Sequence, residues 1–504
     1  MIKLDADVAV LGSGFGGSLC ALILERIGLR PVVIDRAAHP RFAIGESSTP
    51  IADMILRDLS ERYDLPRLKP LSAYGPWREH YPHLGVGRKR GFSYFYHEPG
   101  QAFRPDPEHG NELLVAASSG DYHCDTHWLR ADVDAFFADE VRRSGTPLLE
   151  NTEVEVQQDG NGWVLHGRQK ETPVAVSARF IIDATGAGGV LPRTLGLTDA
   201  SGLPRTHSRA LFSHFTGVKR WHDLLEAWGG ATSDHPFYCD AAALHHVFDG
   251  GWMWMLRFDS DRVSAGFMLD TRRHPLDQSV SPEAEWAGLI RRYPALEEQF
   301  SMARLADTPG RLIRTGRMQR RVTRAAGPNW ALLPFTAGFV DALHSTGIAH
   351  TLSGMERLMG ILEQHWGRST LEEALDGYSA SVLGELSMID TLVGLCYDAG
   401  ADFRLFSASV LLYFAATVSY EQSRLAGNGE VTTQRFLRAD DTHLVSVLDE
   451  AYGMLTRLRQ EGRPTEENIQ AYAQRVEALI EPYNTVGLFH PPSPNMYHHT
   501  AARP

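Results

Sequence analysis

The chain has 504 residues, enough for two or three domains of ordinary size. A composition of 43% hydrophobic and 22% charged residues excludes a largely disordered chain. The net charge of −13 argues against nucleic acid or an anionic membrane as the main partner.

Met1 leads straight into a strand-like segment with no basic-then-apolar leader. The longest apolar stretch, residues 410–418, falls short of the ~20 residues of a membrane helix, so no membrane span is expected. Cys20, Cys124, Cys239 and Cys396 form no CxxC pair, which implies neither a disulfide framework nor a thiolate metal site. The expectation is a cytoplasmic protein without a metal centre.

In chain order, residues 7–11 read as a buried strand, followed by Gly12-Ser13-Gly14-Phe15-Gly16-Gly17 and a helix over 18–27 that stops at Gly28. Residues 31–35 form a second buried strand ending in Asp35, 23 residues after Gly12. Thr49-Pro50 predicts a helix start, cap then first-turn proline, with Ile51, Met54, Ile55 and Leu59 on one face. Residues 66–120 read as loops with short strands, and 132–143 as a helix. A hairpin over 153–165 turns at Asp159-Gly160-Asn161-Gly162. Residues 180–183 form another buried strand ending in Ala184-Thr185-Gly186, 205–270 are strand-rich, and 345–482 are helical.

A glycine loop between strand and helix lets backbone approach a pyrophosphate at the positive end of the helix. Asp35 stands where a carboxylate accepts a ribose hydroxyl proton and repels a 2′-phosphate. Strand, loop, helix, strand and acid all match a dinucleotide-binding unit. Trp252 and Trp254 share one strand face by period-two spacing, as core residues or as a cofactor wall. His123 and His127 have a spacing that holds metal on a helix, but no further ligand cluster accompanies them.

Three further segments narrow the reading: Gly45-Glu46-Ser47, Gly251-Trp252-Met253-Trp254-Met255-Leu256, and Gly338-Phe339-Val340-Asp341 with Ser345-Thr346-Gly347-Ile348. Through them the chain resembles the flavin-dependent halogenases, the tryptophan-halogenase-like branch of the group A flavin monooxygenase superfamily, over roughly residues 7–360. The resemblance implies an α/β fold: a Rossmann-type FAD-binding domain interleaved with a β-rich substrate lobe, plus a helical C-terminal region. The implied boundaries are 1–200 for the FAD domain with its inserted loops, 201–320 for the lobe, 321–360 for a return to the FAD domain, and 361–504 for the helices.

The same resemblance implies that hypohalous acid, formed from a flavin C4a-hydroperoxide and chloride or bromide, passes through a tunnel to a lysine. That lysine stands beside an electron-rich aromatic or carrier-tethered small molecule, and a separate flavin reductase supplies FADH2. Lys89 occupies the family lysine's place, with Glu46 and His344 as catalytic neighbours. An ammonium can hydrogen-bond hypohalous acid and a free amine can form a haloamine. The competing reading makes Arg88-Lys89-Arg90 a solvated basic turn and His344 a structural histidine.

The residues implied to hold FAD are Gly12, Gly14, Phe15, Gly16, Gly17, Asp35, Arg36, Arg41, Ser47, Arg130, Ala184, Thr185, Gly186, Asp341, Thr346, Gly347 and Ile348, with Trp252 and Trp254 as the wall. The chain departs from the family pattern at Arg257 and Ala342, where prolines are usual, and at Pro334-Phe335, where Gly-Asp is usual. The alternative on the same scaffold is an FAD monooxygenase without halide chemistry.

Overall fold

The structure is a computed structural model and describes residues 1–197, 199–200, 202–427, 434–462 and 464–500. The first layers are built from β1 (Ile2–Leu11), α1 (Phe15–Arg26) and β2 (Pro31–Ile34). Then come α2 (Pro50–Arg62), a short α3 (Tyr74–His80), β3 (Val86–Lys89), β4 (Gly91–Tyr96), β5 (Glu112–Ala116) and β6 (Asp125–Trp128). The chain continues through α4 (Arg130–Ser144), β7 (Leu148–Leu149), the hairpin β8 (Thr152–Asp159) and β9 (Gly162–Gln169), and β10 (Thr172–Asp183). After α5 (Val190–Thr194) come β11 (Ser208–Thr216), α6 (Trp221–Ala227), β12 (Ala243–Phe248), β13 (Gly251–Arg257) and β14 (Val263–Asp270).

The first sheet places β1 between β2 and β10, both parallel to it, and β10 beside Trp330–Leu332. The register aligns Leu11 with Ile34 on one side and Asp183 on the other, so Gly12, Asp35 and Ala184 leave the sheet side by side. Ligands of parallel sheets bind at such carboxyl ends, because adjacent loops open a crevice there. Val8, Val10, Val33, Ile181 and Ile182 are buried, as expected of strands covered on both faces.

The second sheet runs in the order Arg304–Leu305, β11, β14, β13, β12, β4, β5, Met496–Tyr497. It is largely antiparallel, but β12 lies parallel to β4, and Met496–Tyr497 lies parallel to β5 with Met496 opposite Leu114. The end of the described chain closes that edge: Leu114 N–H donates to Asn495 at 2.9 Å, and the Thr500 hydroxyl to the Ala116 carbonyl at 2.6 Å. The segment 66–120 therefore carries more order than its composition suggested. Its Gly- and Pro-rich parts surround strands that pair with residues far along the chain, which local pattern does not reveal.

Helix Thr346–His365 packs on α1 and α2, and helices Leu371–Ala399 and Phe403–Ala426 follow it. By length and composition these last two could cross a membrane, contrary to the expectation that no segment would. Both are instead interior helices, with 67% and 89% of their most apolar windows buried inside the protein. Phe403–Ala426 is apolar all round because it is surrounded on all sides.

Ion pairs knit these helices together. Arg424 reaches Glu356 at 2.8 Å and Asp58 at 2.9 Å, and Glu385 takes both Arg357 at 2.6 Å and His350 at 3.1 Å. Burial raises the Glu385 carboxyl, but Arg357 and His350 outweigh it and hold it down to about 2.

Candidate functional site

The glycine loop is set by contact. Gly12 sits at φ +95°, and a Cβ there would lie 2.7 Å from the Ala184 carbonyl oxygen. A Cβ on Gly17 would lie 2.0 Å from the Gly12 carbonyl oxygen. Loop and helix thus approach too closely for any side chain at either position. Gly14 is the N-cap of α1 and has no side chain to satisfy the first-turn N–H groups.

Two acids organise this crevice. Asp35 Oδ2 accepts from Ser13 N–H and Oγ, each at 2.8 Å, and from Arg41 at 2.9 Å; Oδ1 accepts from Ala37 N–H at 2.9 Å. Burial alone would raise its pKa, but Arg41 and these donors draw it below the usual range, so it stays ionised. Oδ1 keeps a lone pair for a ribose hydroxyl. Arg36, next in sequence, is exposed.

Asp134 accepts from Phe15 N–H at 3.1 Å and binds Arg130 through two hydrogen bonds of 2.9 Å. The Arg130 guanidinium also lies 4.8 Å from the Phe15 ring centroid and reaches the carbonyls of Ile44 and Gly45 at 3.0 and 3.1 Å. Arg130 therefore ties α4, the glycine loop and the Gly45-Glu46-Ser47 segment into one wall. Gly14 is bare where the Asp134 and Arg130 side chains pass 3.6–3.7 Å from where its Cβ would stand.

The segment at the start of Thr346–His365 joins the same wall, since Ser345 Oγ donates to Ser47 Oγ at 3.0 Å. Ser345 caps the helix at φ 52°, a left-handed conformation, with no side-chain bond to the helix, and a Cβ on Gly347 would meet open space. A small, partly open pocket lies here, lined by Phe335, Phe339, Asp341, Thr346, Gly347 and His350 among others. The Asp341 carboxylate is committed inward, accepting from Ser208 Oγ at 2.5 Å, Tyr397 OH at 3.0 Å and Leu343 N–H at 3.1 Å. Ile348 is buried in the helix one residue beyond Gly347. Gly186 N–H donates to Thr336 Oγ1 at 3.0 Å, and Thr185 is held by Asp183.

Lys89 ends β3 and is fully buried, whereas Arg88 beside it is exposed. The basic run is therefore not a uniformly solvated turn: strand alternation sends Lys89 inward. Its Nζ donates to the Ser48 carbonyl at 2.5 Å and lies 4.1 Å from the Phe92 ring centroid. Burial lowers its pKa to about 8, against the pull of Asp125 and Asp53. Those two carboxyls share a hydrogen bond, and burial raises both; for Asp53 the neighbouring Asp125 charge adds to the rise. Lys89, Asp53 and Asp125 thus form a buried cluster that titrates as a unit.

Asp125→Asn removes a charge that favours the ammonium form. The Lys89 ammonium is then expected to titrate at lower pH, by roughly one pH unit or more, as followed by NMR of the labelled lysine side chain. A titration identical to wild type would show that Asp125 does not act on Lys89.

Glu46, expected beside Lys89, has its carboxylate against His214 instead, at 3.0 Å, with Arg262 on the far side of that imidazole at 3.2 Å. His344 enters an aromatic cluster near Lys89. It stacks on Tyr413 at 4.2 Å with an interplanar angle of 7°, and its Nε2 lies 3.7 Å from Cys396 Sγ. His245 completes that cluster, 4.6 Å from Tyr94 and 5.1 Å from Trp252 between ring centroids. Burial lowers the pKa of both histidines to about 3, so both are neutral at working pH. Trp252 and Trp254 do share a face, 6.1 Å apart. Beside Trp252, Leu343, Cys396, Tyr397 and Phe406 help line a second small pocket.

The pair His123 and His127 is not helical: His127 lies in β6 and its Nδ1 is 3.2 Å from the Arg257 carbonyl oxygen. Arg257, in place of a proline, also donates to the carbonyls of Val218 and Lys219 at 3.1 Å each. Asp53, Asp125, His214 and His245 are the functional candidates that the sequence did not reveal. Asp53 lies in the first turn of α2, where an acid is ordinary, and Asp125 meets Lys89 only through the register of β3 on β6.

Comparison with known proteins converges on one family. The tryptophan halogenase family model matches residues 105–403. The tetracycline 7-halogenase of Kitasatospora aureofaciens is 31% identical over 352 residues, 68% of this chain and 61% of that protein, so the chain spans less than two thirds of this relative. The monodechloroaminopyrrolnitrin halogenase PrnC of Pseudomonas fluorescens is 29% identical over 421 residues, 82% of this chain and 71% of its own. The crystal structure of halogenase PltM in complex with phloroglucinol and FAD superposes with a TM-score of 0.85 at 25% identity, covering 98% of this chain and 99% of that one. With more than half of its residues matched by the family model, and the fold shared along almost its whole length with a solved halogenase, the chain belongs to the tryptophan halogenase family.

Proposed function

We propose that the protein is an FAD-dependent halogenase that receives reduced flavin from a separate reductase and halogenates a small, electron-rich aromatic compound beside Lys89. The observation that carries this reading is the burial of Lys89 against Phe92, Ser48 and two carboxyls, at a pKa of about 8. A lysine is not enclosed in this way for solubility.

The residues fit FAD. Gly12 and Gly17 leave no room for side chains, Asp35 is ionised with one lone pair to spare, and Arg130 stands beside the start of α1, where Gly14 brings no side-chain cap. When bound, reduced FAD together with oxygen and halide would supply an electrophilic halogen. The uncapped N–H groups at Thr346 and Gly347 offer a positive helix end suited to a halide.

In this reading Lys89 holds the oxidant by donating from Nζ, with Ser48 and Phe92 fixing its direction. Asp53 and Asp125 set how readily it gives up its proton. Trp252, His245 and neutral His344 border the aromatic substrate, and Glu46 acts one step removed, by positioning His214 and the loop that carries Ser48. The enclosure of Lys89 favours a free small molecule over a carrier-tethered one, in keeping with the phloroglucinol bound by PltM.

The test supplies the protein with FAD, a flavin reductase, NADH and bromide or chloride, together with a panel of phenols and indoles. Halogenated product that requires both halide and reductase is expected. Hydroxylated product formed without halide would replace this reading with that of a monooxygenase.

A further inference from the structure

Away from the lysine, the substrate lobe gathers a second set of chemically capable side chains. Residues 109–112, α6 and the segment 235–239 bring His109, Glu112, His222, His235 and Cys239 together. One ligand atom each from His222, His235 and Cys239 lie within 4.8 Å of one another. The same holds for His109, Glu112 and His235.

The hydrogen bonding sorts these residues into two roles. His235 Nε2 faces Glu112 Oε1 at 3.3 Å, and His222 Nε2 faces Glu226 Oε1 at 3.5 Å. Each carboxylate favours the tautomer with its proton on Nε2, which leaves the Nδ1 lone pair free. The Nδ1 atoms of both residues are buried and, among the described residues, have no hydrogen-bond partner. An unpaired buried polar atom is costly, and what sets these two nitrogens apart is that their imidazoles stand together beside one thiol.

His109 is used differently: Nδ1 lies 2.5 Å from Glu112 and Nε2 2.9 Å from Asp234, so it orients Glu112 and has no nitrogen to spare. Cys239 is a buried free thiol.

We infer that His222 Nδ1, His235 Nδ1 and Cys239 Sγ form a binding site for a zinc-class divalent ion. Two neutral imidazoles, one thiolate and a solvent water make a tetrahedral set that suits such an ion, and carboxylates behind both imidazoles are the usual support of bound zinc. On binding, the Cys239 thiol releases its proton to solvent and no redox change occurs.

The framework is already rigid. Asp240 accepts from the backbone N–H groups of Trp221 and His222 at 3.0 and 2.8 Å. Ser93 Oγ, on the strand that follows Lys89, donates to the Cys239 carbonyl at 2.9 Å. A bound ion would therefore clamp residues 222–239 against β4, on the side away from the flavin crevice.

The inference does not depend on halogenation, and its test needs none. Purified protein, treated with chelator and then dialysed, is titrated with Co2+ and watched for the thiolate-to-cobalt charge-transfer absorption, and Zn2+ is then added in competition. Expected are one equivalent of Co2+ per chain, displacement by Zn2+, and a higher melting temperature with Zn2+ than without. Cys239→Ser should abolish the charge-transfer band, and His235→Ala should weaken binding at least roughly tenfold. His222→Ala, at the most accessible of the three ligands, provides the same readout should either buried variant fail to fold, whereas His123→Ala should bind as wild type does. Absence of the band in wild type, or equal affinity in the ligand variants, would overturn the assignment.

Discussion

Replacing Lys89 by alanine is expected to lower halogenated product at least roughly a thousandfold while hypohalous acid continues to form, detected with an added small-molecule trap. General acid–base groups of this kind contribute about 10²–10⁴ in rate, and here the same group also fixes where the oxidant is held. Among the described residues the amine has one hydrogen-bond acceptor, the Ser48 carbonyl at 2.5 Å, and an aromatic face 4.1 Å away, leaving N–H donors for a guest. Lys89→Met keeps the stem and removes only the charge. Its partners Asp53 and Asp125, already raised by burial, then take up protons and remain neutral, so the variant should fold. Full product formation by a well-folded Lys89→Met protein would remove Lys89 from the mechanism.

Gly17→Ala is expected to cost more stability than any other single methyl group in the crevice, upwards of ~3 kcal/mol, and to abolish retention of FAD. The new carbon would lie 2.0 Å from the Gly12 carbonyl oxygen and 3.1 Å from the Ala184 Cβ. Gly12 has no room to retreat, because its own N–H is bonded to Ile34 at 2.8 Å and its missing Cβ already faces Ala184. Gly16→Ala makes the contrast. Its carbon would meet only the ends of Leu333 and Thr351, at 3.1 and 3.3 Å, which can shift, so about 1 kcal/mol is expected. Denaturant midpoints and flavin fluorescence after gel filtration report both numbers. Similar losses for the two variants would show that the close approach at Gly17 is not what shapes the loop.

Local pattern carried the first sheet and most strands of the second, but not the long-range pairing that orders the second. The βαβ unit, its glycine loop and Asp35 were legible because strand, turn and helix are adjacent in sequence and each has its own periodicity. The hairpin of β8 and β9 was legible for the same reason, through Asp159-Gly160-Asn161-Gly162. The pairing of β4 and β5 was not, since β4 takes its neighbour β12 from about 150 residues away and β5 takes Met496–Tyr497 from nearly 400.

The site divides along the same line. Lys89 stood out by its place in a motif, but its carboxyl partners are fixed by a strand register and by the first turn of α2. Glu46 was placed beside the lysine from its motif, and its side chain instead follows His214 across from β11. Nothing in the spacing of His222, His235 and Cys239 shows that α6 folds back over the segment that follows it.

The parallel pairing of Met496–Tyr497 with β5 also sets an order of events. During synthesis the nucleotide-type sheet can assemble once Trp330–Leu332 has emerged, whereas the flank of β5 stays bare for some 160 residues more. Until then a nascent chain would expose β5 as an unpaired edge strand beside β4, open to other polypeptides. A short peptide copied from residues 493–500 would be the natural competitor for that edge, able to reach it only in chains whose own closing strand has not yet docked.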